Sequence, residues 1–173
     1  MATSVERAPD RAPGRGEDGR SAARVELACL ELRGRVVGIE LVHVREIVRA
    51  EALVPLPFAP RLIEGVMELR GGVVPVVDLG RALDGEPLAP ARGQRVAVVE
   101  VEGVRFGLRA DAAVDVLSVD ASRVEPTPAL AAQAGYGAVT GIVRREGAPP
   151  VLILSLGHLL ASVERSGGGE AQP

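Results

Sequence analysis

The residues able to do chemistry in this chain are few and scattered. His43 and His158 are its only histidines, and Cys29 is its only cysteine. A histidine can shuttle a proton or hold zinc, but a zinc site needs three or four His, Cys or carboxylate ligands. Neither histidine has such neighbours at ligand spacing, so both read as surface or turn residues and no metal is expected. Ser155-Leu-Gly-His158 sets a hydroxyl near an imidazole. It lacks the Gly-x-Ser-x-Gly elbow that would expose a nucleophile between strand and helix. The glycine pairs of Gly14-Arg-Gly16 and Gly135-Tyr-Gly137 lack the full spacing of a phosphate-cradling loop, so no nucleotide or other cofactor is implied. Asp78, ending the run Val73-Val-Pro-Val-Val77, is a lone carboxylate at a strand end, which suits capping of the following turn rather than acid–base work. Cys29 lies within Val25-Glu-Leu-Ala-Cys-Leu30 and reads as a small buried hydrophobe, with no partner for an intrachain disulfide. An enzyme would need a His or carboxylate cluster, and these spacings offer none.

Composition narrows the classes further. The chain has 173 residues, 47% of them hydrophobic, enough to bury roughly two-thirds of its unfolded surface. Only Phe58, Phe106 and Tyr136 are aromatic, so the core must be Val, Leu, Ile and Ala, and base-stacking platforms are scarce. A net charge of -3 leaves no electrostatic footprint for nucleic acid. All 20 basic residues are Arg, and neither Lys nor Asn occurs, a pattern of coding bias. No apolar stretch reaches the length of a transmembrane helix and the N-terminal residues lack the apolar run of a secretory leader, so a cytoplasmic protein is expected.

These residues must be positioned by short apolar runs. Residues 1–23, in which four Arg offset four carboxylates, carry no apolar periodicity and are expected to be disordered, as is 166–173; the folded part is then 24–165. Within it the strands expected are 25–32, 36–41, 45–49, 62–69 and 73–78, then 95–101, 104–109, 114–119, 138–144 and 150–155. Arg33-Gly34, Glu102-Gly103 and Gly71-Gly72 mark tight turns between runs. Pro75 is expected at a sheet edge or a bulge, where its missing N–H is harmless. Leu156, Leu159, Leu160 and Val163 recur at helical spacing, a short amphipathic helix stopped by Gly167 whose stripe reads as packing, and Leu79–Leu83 suggests a shorter helical turn. The two sets of runs are an internal repeat. At a spacing of 69, Gly34 matches Gly103 and Pro57 matches Pro126; after an insertion around Ala129–Gly135 the spacing becomes 76, then 77, matching Val76-Val-Asp-Leu79 to Ile153-Leu-Ser-Leu156. Each copy is too small for a strong core alone, but could close as a small barrel sharing apolar surface with its twin. The fold class is mainly β: two linked barrels with a short C-terminal helix.

Gly38-Ile-Glu-Leu41, Val44-Arg-Glu-Ile-Val48, Pro55-Leu-Pro57, Ala59-Pro60, Gly65-Val-Met-Glu-Leu-Arg-Gly71 and Val74-Pro-Val-Val-Asp-Leu79 together resemble the CheW-like domain family, over about residues 25–162. That resemblance implies two five-stranded SH3-like barrels. It also implies a stand-alone adaptor joining chemoreceptor cytoplasmic tips to the regulatory domain of a CheA-type histidine kinase, with other CheW-like domains as further partners and the membrane reached only through them. By position, Val44, Glu46, Gly65 and Arg70 would form the partner-facing group, with Glu46 holding Arg70 across neighbouring strands. The sequence departs from the family where Glu68 replaces an Asn, Val37 an aromatic and Ser155 an acidic residue; Glu68 sets a charge beside Arg70. An adaptor for another output, pilus motility or gene regulation, is an alternative within the same fold. An orphan barrel binding peptides by strand addition is a second.

Overall fold

The computed structural model describes residues 22–129 and 137–168. The disorder expected for 1–23 therefore falls almost wholly outside the described residues, as do Tyr136 and most of the insertion. Eleven strands and two α-helices are described: β1 (Arg24–Leu32), β2 (Arg35–Glu40), β3 (Val44–Arg49), β4 (Ile63–Leu69), β5 (Gly72–Asp78), α1 (Leu79–Asp84), β6 (Arg95–Val101), β7 (Val104–Ala110), β8 (Ala112–Asp120), β9 (Val124–Pro126), β10 (Val139–Arg145), β11 (Ala148–Leu154) and α2 (Leu156–Gly167). The ten expected strands are all present; β9, a three-residue strand on β10, was too short to show in the apolar pattern. Helix α2 runs through Ser166 to Gly167, into the stretch expected to be disordered, and 169–173 lie outside the described residues.

The strands form two sheets, ordered β8-β1-β2-β11-β10-β9 and β3-β6-β7-β5-β4. Each sheet draws on both halves of the repeat. The hairpin β1–β2 joins the second half's strands through the parallel pair β2–β11, and β6–β7 joins the first half's through the parallel pair β5–β7. The expectation that each copy closes on its own strands is thus corrected: the copies exchange their opening hairpins. Burial gives the reason. Leu27 and Cys29 of β1 face the interior of the first sheet with Val143 and Val151, whereas Leu30 and Leu32 face the second sheet with Val99, Phe106 and Leu108. Val96 and Val98 of β6 likewise fill the second barrel with Met67, Val74 and Val76, while Ala97 and Val99 face the first. Strands buried on both faces read as continuous apolar runs. Of the three apolar clusters, the largest lies between the sheets, so neither barrel is complete without the other's hairpin.

Turn chemistry follows the reading with one shift. Arg33-Gly34 and Glu102-Gly103 have positive φ, and the third turn is Arg70-Gly71 (φ 51° and 75°) rather than Gly71-Gly72, Gly72 opening β5. Two consecutive positive-φ residues are the geometry that matches strand twist in a two-residue hairpin. Arg33 and Arg35 both reach Asp84 at the end of α1, at 2.8 and 2.6 Å, tying the β1–β2 hairpin to the other sheet. Burial opposes charge on Asp84, but the hydrogen bonds from Arg35 and Arg33 prevail and hold its carboxyl below the ordinary range. Pro75 sits in β5, which is flanked by β4 and β7 and is not an edge; it lies one residue before the ladder to β7 begins at Val76. Leu156 and Leu159 of α2 are buried, with Leu160 and Val163 packed against the inter-sheet cluster, as the stripe suggests. Val37 is fully buried in that cluster, so its departure from the family's aromatic is a matter of packing.

Candidate functional site

Strands β3 and β4 are the two edges of the five-stranded sheet. The sheet curls enough to bring them together, and Arg70, on the β4–β5 turn, spans the seam. Its Nε and Nη2 donate to Oε1 and Oε2 of Glu46 on β3, both at 3.0 Å. The expected pair therefore forms, though between opposite edges of the curled sheet rather than neighbouring strands. The fork geometry fixes the guanidinium plane while leaving the side chain 78% exposed. The hydrogen bonds from Arg70 hold the Glu46 carboxyl below its ordinary value, and the same contacts raise the Arg70 pKa. Arg70 is thus an oriented cation with its remaining donors toward solvent.

The strands beside the turn extend this surface. Glu68 lies cross-strand from Val73, and Val104 opens β7, three residues before the parallel ladder to β5 begins at Val76–Gly107. All three are exposed, with Val73 at 69%. Glu68 forms no ion pair among the described residues, Arg70 being turned to Glu46. Glu100 pairs with Arg105 at 2.9 Å and Arg45 at 3.5 Å, and the Arg105 bond leads the depression of its pKa.

The other two expected site residues lie deeper. Val44 is half-buried and packs against the inter-sheet cluster, seating the start of β3. Gly65 is buried where the 50–62 segment crosses β4: Val54 exchanges 2.9 Å backbone hydrogen bonds with Val66, and a Cβ at 65 would stand 2.6 Å from the Val54 carbonyl oxygen. Only glycine fits that approach. Gly65→Ala is expected to destabilise the fold by about 1–3 kcal/mol through this overlap, measured by chemical denaturation; an unchanged midpoint would show that the crossing segment yields freely.

That same segment ends in an oddity. Phe58 has φ 58° and is fully exposed, near exposed Val54 and Leu56. A bulky residue in the left-handed region carries strain of about 1–3 kcal/mol and here gains no packing. Phe58→Asn, which tolerates that conformation, is expected to raise the thermal midpoint by a few degrees at most, about 1 kcal/mol; a drop would show that the ring is held by contacts in solution.

Sequence reasoning gave Asp78 one role, and the structure gives it two. It caps α1, accepting from Gly80 N (2.8 Å) and Arg81 N (3.2 Å). It also accepts from Leu88 N and pairs at 3.1 Å with Arg109, which is itself buried. Arg109 further donates to the Leu88 carbonyl (2.7 Å) and Gln94 Oε1 (3.0 Å). Its Nε stands 2.7 Å from Glu64 Oε2, a charge contact without hydrogen-bond alignment that leaves both atoms otherwise unpartnered among the described residues. Burial outweighs that cation and raises the Glu64 pKa. A spacing of 31 between Asp78 and Arg109 carries no local signal, so this cluster was invisible in the sequence. Its members fasten the 85–94 loop. Ser155, the repeat's counterpart of Asp78, keeps only the capping role, accepting from His158 N at 3.3 Å. Cys29 is buried and free, its thiol pKa raised by burial. His158 is exposed, and no group of three or more possible metal ligands occurs among the described residues.

The two interlocked barrels thus place their ion pairs on seams and loops, with an oriented arginine at an exposed turn. The CheW-like domain family matches residues 26–164, and the chain belongs to that family. It is 29% identical over 140 residues to a chemotaxis protein CheW of Rhizobium meliloti, covering 81% of this chain and 90% of that protein. It is also 29% identical over 136 residues to the protein FrzA of Myxococcus xanthus, covering 79% and 84%. The crystal structure of the scaffolding protein TtCheW from Thermoanaerobacter tengcongensis shares the fold, with a TM-score of 0.70 at 24% identity over 84% of this chain and 93% of that one.

Proposed function

We propose that this chain is a non-enzymatic adaptor that couples chemoreceptors to a CheA-type histidine kinase. The observation carrying this reading is the Arg70–Glu46 fork: a guanidinium held in one plane at an exposed turn, in a chain of the CheW-like family. The receptor's helical tip would dock over Arg70 and the adjoining Glu68, Val73 and Val104, and the kinase regulatory domain would take another surface of the barrels. Coupling then requires that the adaptor contact two kinase states unequally, since equal affinity for both would shift nothing. The working place is the cytoplasm, at receptor arrays reached through partners; no described helix is long and apolar enough to cross a membrane. Reconstitution with cognate receptor and kinase tests this: adding the chain should change receptor-dependent autophosphorylation, and no change at saturating protein rejects the coupling role.

A further inference from the structure

At the far end of β3 from the partner-facing turn, the second barrel carries a groove of about 710 Å3 between Ala50 and the 90–95 loop. Arg49, Arg92 and Arg95 line it, and no carboxylate does. Arg49 and Arg95 are directly opposed across the β3–β6 pair, an arrangement that is unfavourable without a counter-charge. Arg95 turns one nitrogen back to the Gly93 and Gln94 carbonyls, at 2.9 and 3.1 Å, while Arg49 and Arg92 have no ion pair among the described residues. This occurs in a chain of net charge -3, where scattered arginines would ordinarily find carboxylates.

One lining residue is anchored by hydrogen bonds. Gln94 is buried; its amide nitrogen donates to the Ala89 carbonyl at 2.8 Å, its amide oxygen accepts from Arg109, and its backbone carbonyl accepts from Ala50 N at 3.1 Å. A carboxylate-free groove with three guanidinium groups is a site for carboxylates. We propose that it binds an acidic segment of a partner protein, a role additional to receptor–kinase coupling and independent of it. Nucleic acid is disfavoured because no aromatic side chain lines the groove to stack a base, whereas the small Ala50, Pro90 and Ala91 leave room for a peptide backbone.

The test is an anisotropy titration of the full chain with a labelled oligoglutamate peptide of about twelve residues, at low and high salt. Saturable, salt-weakened binding is expected, lost about tenfold in Arg49→Ala/Arg92→Ala and by less than about twofold in Arg165→Ala on α2. Arg92→Ala alone, a loop substitution that leaves the strands untouched, should lose affinity by an intermediate factor, and a thermal melt confirms that each variant is folded. Equal losses in all variants, no saturable binding, tighter binding of an oligouridylate of the same length, or displacement by equimolar inorganic phosphate would each overturn the assignment.

Discussion

Arg109→Leu is expected to lower the unfolding free energy by about 3–5 kcal/mol, read as a shift of the urea midpoint with the slope unchanged. The side chain is 6% exposed, and its partner Asp78 is 0% exposed. Leucine fills most of the volume, so the loss comes from stranding Asp78 and Glu64 without their cation and from releasing the Leu88 carbonyl and Gln94. The sign with pH follows from Glu64. Its folded pKa already lies above the ordinary value because of burial, and Arg109 is the main influence lowering it. Without Arg109 the folded carboxyl binds a proton more readily than the unfolded one, so stability rises as pH falls through the raised folded value, and the deficit at about pH 5 should be smaller than at pH 7. Adding Asp78→Asn removes one stranded charge while an amide oxygen still accepts from Gly80 and Arg81, so part of the loss should return. A double variant weaker than the single, or a deficit that grows on acidification, would mean that the damage is steric.

The strands and the C-terminal helix were legible in the sequence because each is a local pattern: alternation, a turn pair, a helical stripe. Strand pairing was not. Leu27 and Leu30 are equally apolar, and nothing in their spacing says that one faces its own sheet and the other the partner sheet. The hairpin exchange is decided by non-local parallel contacts such as Val76 with Gly107 and Ile153 with Gly38. The repeat does carry the symmetry: substituting each strand by its counterpart converts the order β3-β6-β7-β5-β4 into β8-β1-β2-β11-β10. At the site, the Glu46–Arg70 pair could be anticipated through the family's motif, but its place across the barrel seam could not, since that depends on sheet curvature. Gly65 and Val44, expected in the same group, are also packed inside the fold, the one admitting a crossing segment and the other seating an edge strand. The expected group therefore mixes an exposed, oriented side chain with residues that hold the surrounding backbone in place, and exposure separates the two kinds.

That separation makes Arg70→Glu the sharpest test of the coupling reading. The substitution sets two carboxylates against each other at an exposed seam, where charge pairs contribute little to folding, so the thermal midpoint should stay within about 3 °C of the parent. Binding of a receptor cytoplasmic fragment should fall by at least about tenfold, because a fixed donor becomes an acceptor in the centre of the docking surface. The exchange Glu46→Arg/Arg70→Glu distinguishes orientation from mere charge. It restores an ion pair across the seam but moves the guanidinium from the β4–β5 turn to β3, so folding should be unaffected and receptor binding should remain weak. Full recovery of binding in the exchanged variant would show that the net charge of the seam suffices, and equal losses of folding and binding in Arg70→Glu would make the residue structural. Glu68→Asn separates the remaining contribution. Glu68 carries no ion pair among the described residues and lies across from Val73, so its removal should leave stability unchanged while altering which receptor tips are preferred. Titration of one receptor fragment with acidic and one with basic residues facing that row would read the preference directly, and identical ratios for parent and variant would exclude Glu68 from partner choice.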